Sequence, residues 1–239
     1  KISYTAEVKL SADQRQALEK IIKWLRTPNR SPNYFTFGGY AGTGKTTLTA
    51  LLRQILHKKN PKLKVALVSY TGKAARVLKT TLVQQEASYK QDSVGTIHSL
   101  IYEPMINSKS DIVGWNKKQK IDVKLIIVDE ASMVNYDIWQ DLLSFNLPVL
   151  AIGDHGQLPP IEGRFNLMGK PNVKLEKIHR QAENNPIIKL SIQARKTGKV
   201  SVGNFGPHIE KLDQSSMDTQ EKVQDLLKNF NQQTMILTG

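Results

Sequence analysis

GYAGTGKT, residues 39–46, is the stretch on which the reading of the chain turns. It satisfies the phosphate-loop pattern G-x-x-x-x-G-K-[ST] at every fixed position. Tyr34-Phe35-Thr36-Phe37 before it is a short β-prone run, and Thr47 to Arg53 after it opens a helix. Strand, glycine loop and helix is the context the pattern requires. Glycines let successive backbone N–H groups turn inward as an anion nest, and a helix beginning at Gly44 points its positive dipole end at the same place. The loop residues Gly39, Ala41, Gly42, Thr43, Gly44, Lys45, Thr46 and Thr47 are therefore expected to hold a nucleotide. Lys45 can reach the β/γ-phosphates, and the Thr46 hydroxyl can ligate Mg²⁺.

The rest of the chain supplies a setting for that loop. Its 239 residues suffice for one large domain or two small ones, and 34 basic against 21 acidic side chains leave a formal charge of +13. Such an excess suits a polyanionic partner, nucleic acid first, although a merely solvated basic surface has the same composition. There is no run of 18 apolar residues and no secretory h-region, so no membrane partner is expected. Cysteine is absent and the five histidines are scattered, which excludes disulfides and argues against a structural zinc site. The numbering starts at Lys1 rather than Met, as expected of a fragment or processed chain.

Strands and helices alternate along the sequence. Residues 10–26 carry Ala17, Leu18, Ile21, Ile22 and Leu25 at helical spacing behind a Ser11 cap. Val65–Ser69, Leu125–Val128 and Pro148–Gly153 are continuous apolar runs, as in buried parallel strands. Helices are expected from Thr71, over 134–145, over 186–196 with a stop at Thr197-Gly198, and over 218–231; a short strand is expected near Val173–Leu175 and another from Thr234. Residues 84–93 read as a polar loop, residues 103–122 as a polar insertion with one large aromatic, Trp115, and residues 201–217 are ambiguous. The pattern is that of an α/β domain with a mostly parallel sheet and helices on both faces.

Two further strand ends carry chemistry. Asp129, after four apolar residues, sits where a carboxylate can hold Mg²⁺, and Glu130 beside it can orient and deprotonate an attacking water. Gln157 closes a third polar loop, where a neutral amide can touch both the γ-phosphate and the water. Arg180 can neutralise charge developing on the γ-phosphate. Taken singly, Gln157 and Arg180 also fit a turn glutamine before Pro159-Pro160 and a surface arginine.

In order along the chain stand Gln14, GYAGTGKT at 39–46, TGKAA at 71–75, TIH at 96–98, IIVDEASM at 126–133, GDHGQLPP at 153–160 and LEKIHRQ at 175–181. The set, over roughly residues 10–195, resembles the motifs of superfamily 1B DNA helicases, most closely the RecD/Dda-like group that includes exonuclease V alpha subunits. The resemblance implies a RecA-like P-loop motor domain that uses ATP and Mg²⁺ to move 5′ to 3′ on single-stranded DNA. By the same resemblance Gln14 would recognise adenine. Lys45, Glu130, Gln157 and Arg180 would be catalytic, and Thr46 and Asp129 would hold Mg²⁺. Thr71, Lys73, Thr96 and His98 would line the DNA track. Residues 103–122 match the place of a small β-hairpin that splits the duplex, with Trp115 its candidate base-stacking wedge; the alternative is a surface loop whose tryptophan packs on the body. A cytoplasmic protein of a bacterial or phage-infected cell is implied, with partner subunits of a nuclease or repair complex; repair, recombination, replication and phage growth all stay open as its setting.

The family's later motifs, carried by a second RecA-like domain, are missing. The expected division is a first motor domain over 1–199 and a linker with the start of a truncated second domain over 200–239. Two rival readings are a non-hydrolysing nucleic-acid-binding or partner-docking subunit that keeps the motor fold, and a nucleoside kinase or signalling NTPase. The intact Lys45, Asp129, Glu130, Gln157 and Arg180 argue against the first; GDHGQLPP, HRQ and the basic charge argue against the second.

Overall fold

The computed structural model describes residues 10–157, 165–176, 185–206 and 209–229. The chain falls into two units, Lys1–His179 and Arg180–Gly239. The first is built on a six-stranded sheet of β1 (Tyr34–Gly39), β2 (Val65–Ser69), β3 (Ser93–Thr96), β6 (Leu125–Asp129), β7 (Val149–Gly153) and β8 (Val173–Leu175). The strands lie in the order β3-β2-β6-β7-β1-β8, and every pairing is parallel. β2, β6 and β7 are buried along their whole length, the signature of strands covered on both faces.

Alternation along the strands divides the interior in two, because successive side chains point to opposite faces. Leu125 and Ile127 of β6 join Phe37, Leu67 and Ile152 under α1 (Ala12–Arg26), α2 (Lys45–Lys59) and α3 (Gly72–Gln84). Ile126 and Val128 face the other way, with Val68 and Ala151, against α4 (Ile97–Ile101) and α5 (Tyr136–Leu143), which contribute Ile97, Ile101, Trp139 and Leu142. Helices thus cover both faces, as the strand–helix alternation predicted. A short 3₁₀ turn, Ala131–Met133, precedes α5 and had no sequence signal of its own.

One interior element is ionic. Arg53 on α2 is fully buried and grips Asp92 through Nε at 2.6 Å and Nη2 at 2.9 Å. Its guanidinium lies 4.4 Å from the Tyr89 ring centroid, and Asp92 Oδ1 also accepts the Val65 N–H at 3.2 Å. The pair ties α2 to the loop before β3 and to the start of β2.

Residues 103–122 hold the anticipated hairpin. β4 (Tyr102–Ile106) runs antiparallel to β5 (Ile112–Lys117), with Tyr102 opposite Lys117 at its base and Pro104 opposite Trp115. In the second unit α6 (Pro186–Thr197) stops at Gly198, whose φ of 69° suits a residue without Cβ. The ambiguous stretch after it resolves into an antiparallel pair, β9 (Gly203–Gly206) with β10 (Ile209–Lys211), and α7 (Met217–Lys228) follows. The strand expected from Thr234 lies outside the described residues.

Candidate nucleotide site and nucleic-acid face

Three adjacent strands build the site. β1 lies between β7 and β8, and β7 pairs with β6, so the loops leaving β1, β7 and β6 emerge side by side. Their ends are level: Gly38 pairs with Gly153, and Val128 with Ala151. All lie at the C-terminal edge of a parallel sheet, where open α/β folds bind ligands.

The loop itself is shaped by its glycines. Gly42 and Gly44 take φ of 78° and 84°, a region L side chains avoid. A Cβ on Gly39 would come within 2.7 Å of Thr43 Oγ1, so only glycine fits there. Lys45 Nζ donates to the Gly39 carbonyl at 2.6 Å and to Tyr40 O at 3.1 Å, which holds the side chain back along the loop. A cavity of about 320 Å³ is lined by the loop residues Ala41, Gly42, Gly44, Lys45, Thr46 and Thr47, and across from them by Asp129, Glu130, Asp154 and Gln157.

The acidic pair is electrostatically loaded. Burial pushes the Asp129 carboxyl up to about 6, and the neighbouring charge of Glu130 adds to this; the Glu130 N–H, donating to Oδ1 at 3.1 Å, and the Lys45 charge oppose it. Asp129 is 8% exposed. A buried carboxylate beside a second one calls for a cation, and the Thr46 hydroxyl lines the same cavity. The donor set therefore fits a hard, oxygen-seeking ion such as Mg²⁺. Glu130 itself sits at φ 54° just past the strand, so β6 breaks off sharply at the pair.

Gln157 is not alone at its strand end. Its Oε1 accepts a hydrogen bond from Ser132 Oγ at 2.8 Å, which joins the third loop to the turn that follows the acidic pair. Asp154, also buried, accepts the Gly156 N–H at 2.8 Å and shapes the turn that presents Gln157. A Cβ on Gly153 would meet the Ser132 backbone N at 2.9 Å, so the close approach of these loops depends on that glycine. Ser132 and Asp154 were not singled out from the sequence as site residues. Their signal was membership of the stretches IIVDEASM and GDHGQLPP, beside DE and Gln157. His155 lies against Tyr40 of the phosphate loop, with ring centroids 4.3 Å apart and the planes tilted by 40°, and burial together with the Lys174 charge lowers its pKa.

The remaining sequence-selected residues distribute as follows. Gln14 is buried; it accepts the Ser11 N–H at 3.1 Å and donates to the carbonyl of Thr43 at 3.0 Å, binding the start of α1 to the phosphate loop. Thr71 caps α3 by accepting the Ala74 N–H at 3.2 Å, with Lys73 exposed on the first turn. Thr96 caps α4 by accepting the Ser99 N–H at 3.1 Å. His98 on α4 is brought to the hairpin: its ring lies 4.5 Å from Tyr102 and 4.5 Å, edge-on, from Trp115. Trp115 is 49% exposed, so it meets the body at His98 and offers about half of its surface to solvent. Arg180 and Pro159-Pro160 lie outside the described residues, as does much of LEKIHRQ.

A glycine loop ending in lysine and threonine, facing a strand-end acidic pair on a six-stranded parallel sheet, defines a RecA-like P-loop nucleoside-triphosphate-binding domain. The family model described as an AAA domain matches residues 9–233, and the chain belongs to that family. The RecBCD enzyme subunit RecD of Buchnera aphidicola subsp. Schizaphis graminum is 26% identical over 213 residues, covering 80% of this chain and 34% of that protein. The ATP-dependent RecD2 DNA helicase of Deinococcus radiodurans is 33% identical over 160 residues, covering 63% of this chain and 20% of that protein. The ATP-dependent DNA helicase dda of Enterobacteria phage T4 is 28% identical over 159 residues, covering 64% and 33% respectively. The chain thus spans about a third or less of the length of these relatives. The RecD/Dda-like superfamily 1B resemblance of its ordered motifs agrees with these relationships. No helix among the described residues is long and apolar enough to cross a membrane.

Proposed function

We propose that this chain is the motor domain of an ATP-dependent DNA helicase, in which ATP hydrolysis drives 5′-to-3′ movement on single-stranded DNA and opens duplex ahead of it. The observation that carries the reading is the cavity in which Lys45 and Thr46 face Asp129, Glu130 and Gln157. Lys45, released from the loop carbonyls, neutralises the β/γ-phosphates, while the backbone N–H groups of the glycine loop cradle them. Thr46 and Asp129 would hold Mg²⁺, which would supply positive charge to the phosphate oxygens. Glu130 orients the attacking water and takes its proton. Gln157 senses the γ-phosphate, and Ser132 fixes which way its amide points. Gln14 acts at the adenine end of the site through its hold on Thr43, and by the motif resemblance Arg180 would neutralise charge developing on the γ-phosphate.

Thr71, Lys73, Thr96 and His98 line the strand's path, and the hairpin bearing Trp115 stands beside it as the wedge. The basic excess of +13 provides the phosphate-backbone attraction. We place the protein in the cytoplasm, acting with subunits of a nuclease or repair complex. The test is anisotropy of labelled oligo-dT at low and moderate salt, with and without a non-hydrolysable ATP analogue and Mg²⁺. Binding that weakens with salt and responds to the analogue is expected. Lys45→Ala should lose the nucleotide response, and Glu130→Gln should keep nucleotide binding without turnover. A Glu130→Gln protein with wild-type turnover removes Glu130 from its role.

A further inference from the structure

We propose that Asp141 is a positioning residue that sets the direction of the β4–β5 hairpin, tying it to the helix that follows the acidic pair. The proposal rests on the reading of the hairpin as a duplex wedge. Tyr102 and Lys117 are directly opposite each other at the hairpin's base, so their side chains share one face. Both reach the same carboxylate: Tyr102 Oη donates to Asp141 Oδ2 at 2.5 Å, and Lys117 Nζ to Oδ1 at 2.9 Å. One acid on α5 thus holds both strands of the ribbon. Burial and this hydrogen bond push the Tyr102 phenol up to about 12, and the same two donors lower the Asp141 carboxyl.

The opposite side of the base is held as well. The Lys118 N–H donates to Ile101 O at 2.8 Å, and its Nζ to Ser99 O at 2.8 Å and Leu100 O at 3.1 Å, at the end of α4. Beyond the base the ribbon has little support. Met105, Ile106, Ile112 and Val113 are exposed, Trp115 is half-exposed and meets the body at His98, and a two-stranded ribbon alone is marginal in water. Its direction therefore depends on its root. α5 starts at the Asn135 cap, directly after the turn whose Ser132 holds Gln157. Ser132 thus bonds Gln157, and the chain runs on from Ser132 through the Asn135 cap into α5, whose Asp141 bonds the hairpin's base. None of the pairs that make the clamp is close in sequence: Asp141 is 39 positions from Tyr102 and 24 from Lys117.

The test compares wild type with Asp141→Ala and, as a milder change, Tyr102→Phe, with circular dichroism confirming the fold. Three quantities are read: hydrogen exchange of 102–117 relative to 125–129, oligo-dT affinity, and fluorescence of 2-aminopurine at the junction of a forked DNA. For Asp141→Ala we expect hairpin exchange about fivefold to tenfold faster, oligo-dT affinity within about twofold of wild type, and at least half of the junction signal lost. Unchanged hairpin exchange overturns the proposal, as does a full junction signal from a loosened hairpin. Equal losses of oligo-dT binding and junction signal also overturn it, because the effect is then general damage. Wild type that binds oligo-dT but gives no junction signal refutes the wedge reading itself, and the role of Asp141 with it.

Discussion

Replacing Asp129 with asparagine should stabilise the ligand-free protein while removing its response to Mg·ATP. Asp129 is buried beside Glu130, and its pKa rises from 3.8 to about 6. That gap is worth about 3 kcal/mol of differential interaction between the two protonation states. The folded protein holds this proton more tightly than the unfolded chain does. The stability tied to it is complete below about pH 3.8, falls as pH rises, and is lost above about pH 6. The substituted side chain would carry no charge at any pH, and its amide oxygen can still accept the Glu130 N–H. The variant's advantage should therefore reach about 2–3 kcal/mol at pH 8, a rise of roughly 5–10 °C in melting temperature, and about a third of that at pH 4.5. Thermal melts followed by circular dichroism, in EDTA without nucleotide, measure both. Saturating Mg·ATP should reverse the order, since a ligand at about 1,000 times its Kd adds about 4.1 kcal/mol to the protein that binds it. A variant that is equally or less stable than wild type at both pH values would refute the electrostatic account of this site.

Two other substitutions probe contacts that the fold makes. Ser132→Ala removes the donor that orients Gln157 at 2.8 Å; nucleotide affinity should change by less than about threefold, while turnover falls by about tenfold, checked by fluorescent-nucleotide titration against single-turnover hydrolysis. Asp92→Ala strands the fully buried Arg53 guanidinium and should cost about 3–5 kcal/mol, read from urea denaturation; a loss below about 1 kcal/mol would show that the pair is replaceable by solvent.

The loops that line the cavity were legible because each is a local pattern: glycines and lysine at fixed spacing in 39–46, and a carboxylate pair after an apolar run at 126–130. The parallel sheet with helices on both faces followed from apolar runs alternating with helical periodicity, since burial on both faces removes the polar half of a strand's pattern. The hairpin could be located by its place between motifs, but not the contact of Trp115 with His98, 17 positions earlier in the chain. Gln14 could be marked, but not its bond to Thr43.

Ser132 and Asp154 lie inside quoted motifs but their bonds were not legible there, Asp141 carries no distinctive spacing, and Arg53 reads as one more basic residue on a helix until Asp92 is brought to it. Sequence alone determined which loops would carry the glycine-lysine pattern and the acidic pair that line the cavity, because turn geometry and strand ends are set by residues within a few positions of one another. Only the tertiary structure decided which loops are neighbours and which side chains hold them, because the order β3-β2-β6-β7-β1-β8 brings together strands far apart in the chain, and hydrogen bonds of about 3 Å form only where that order places both partners.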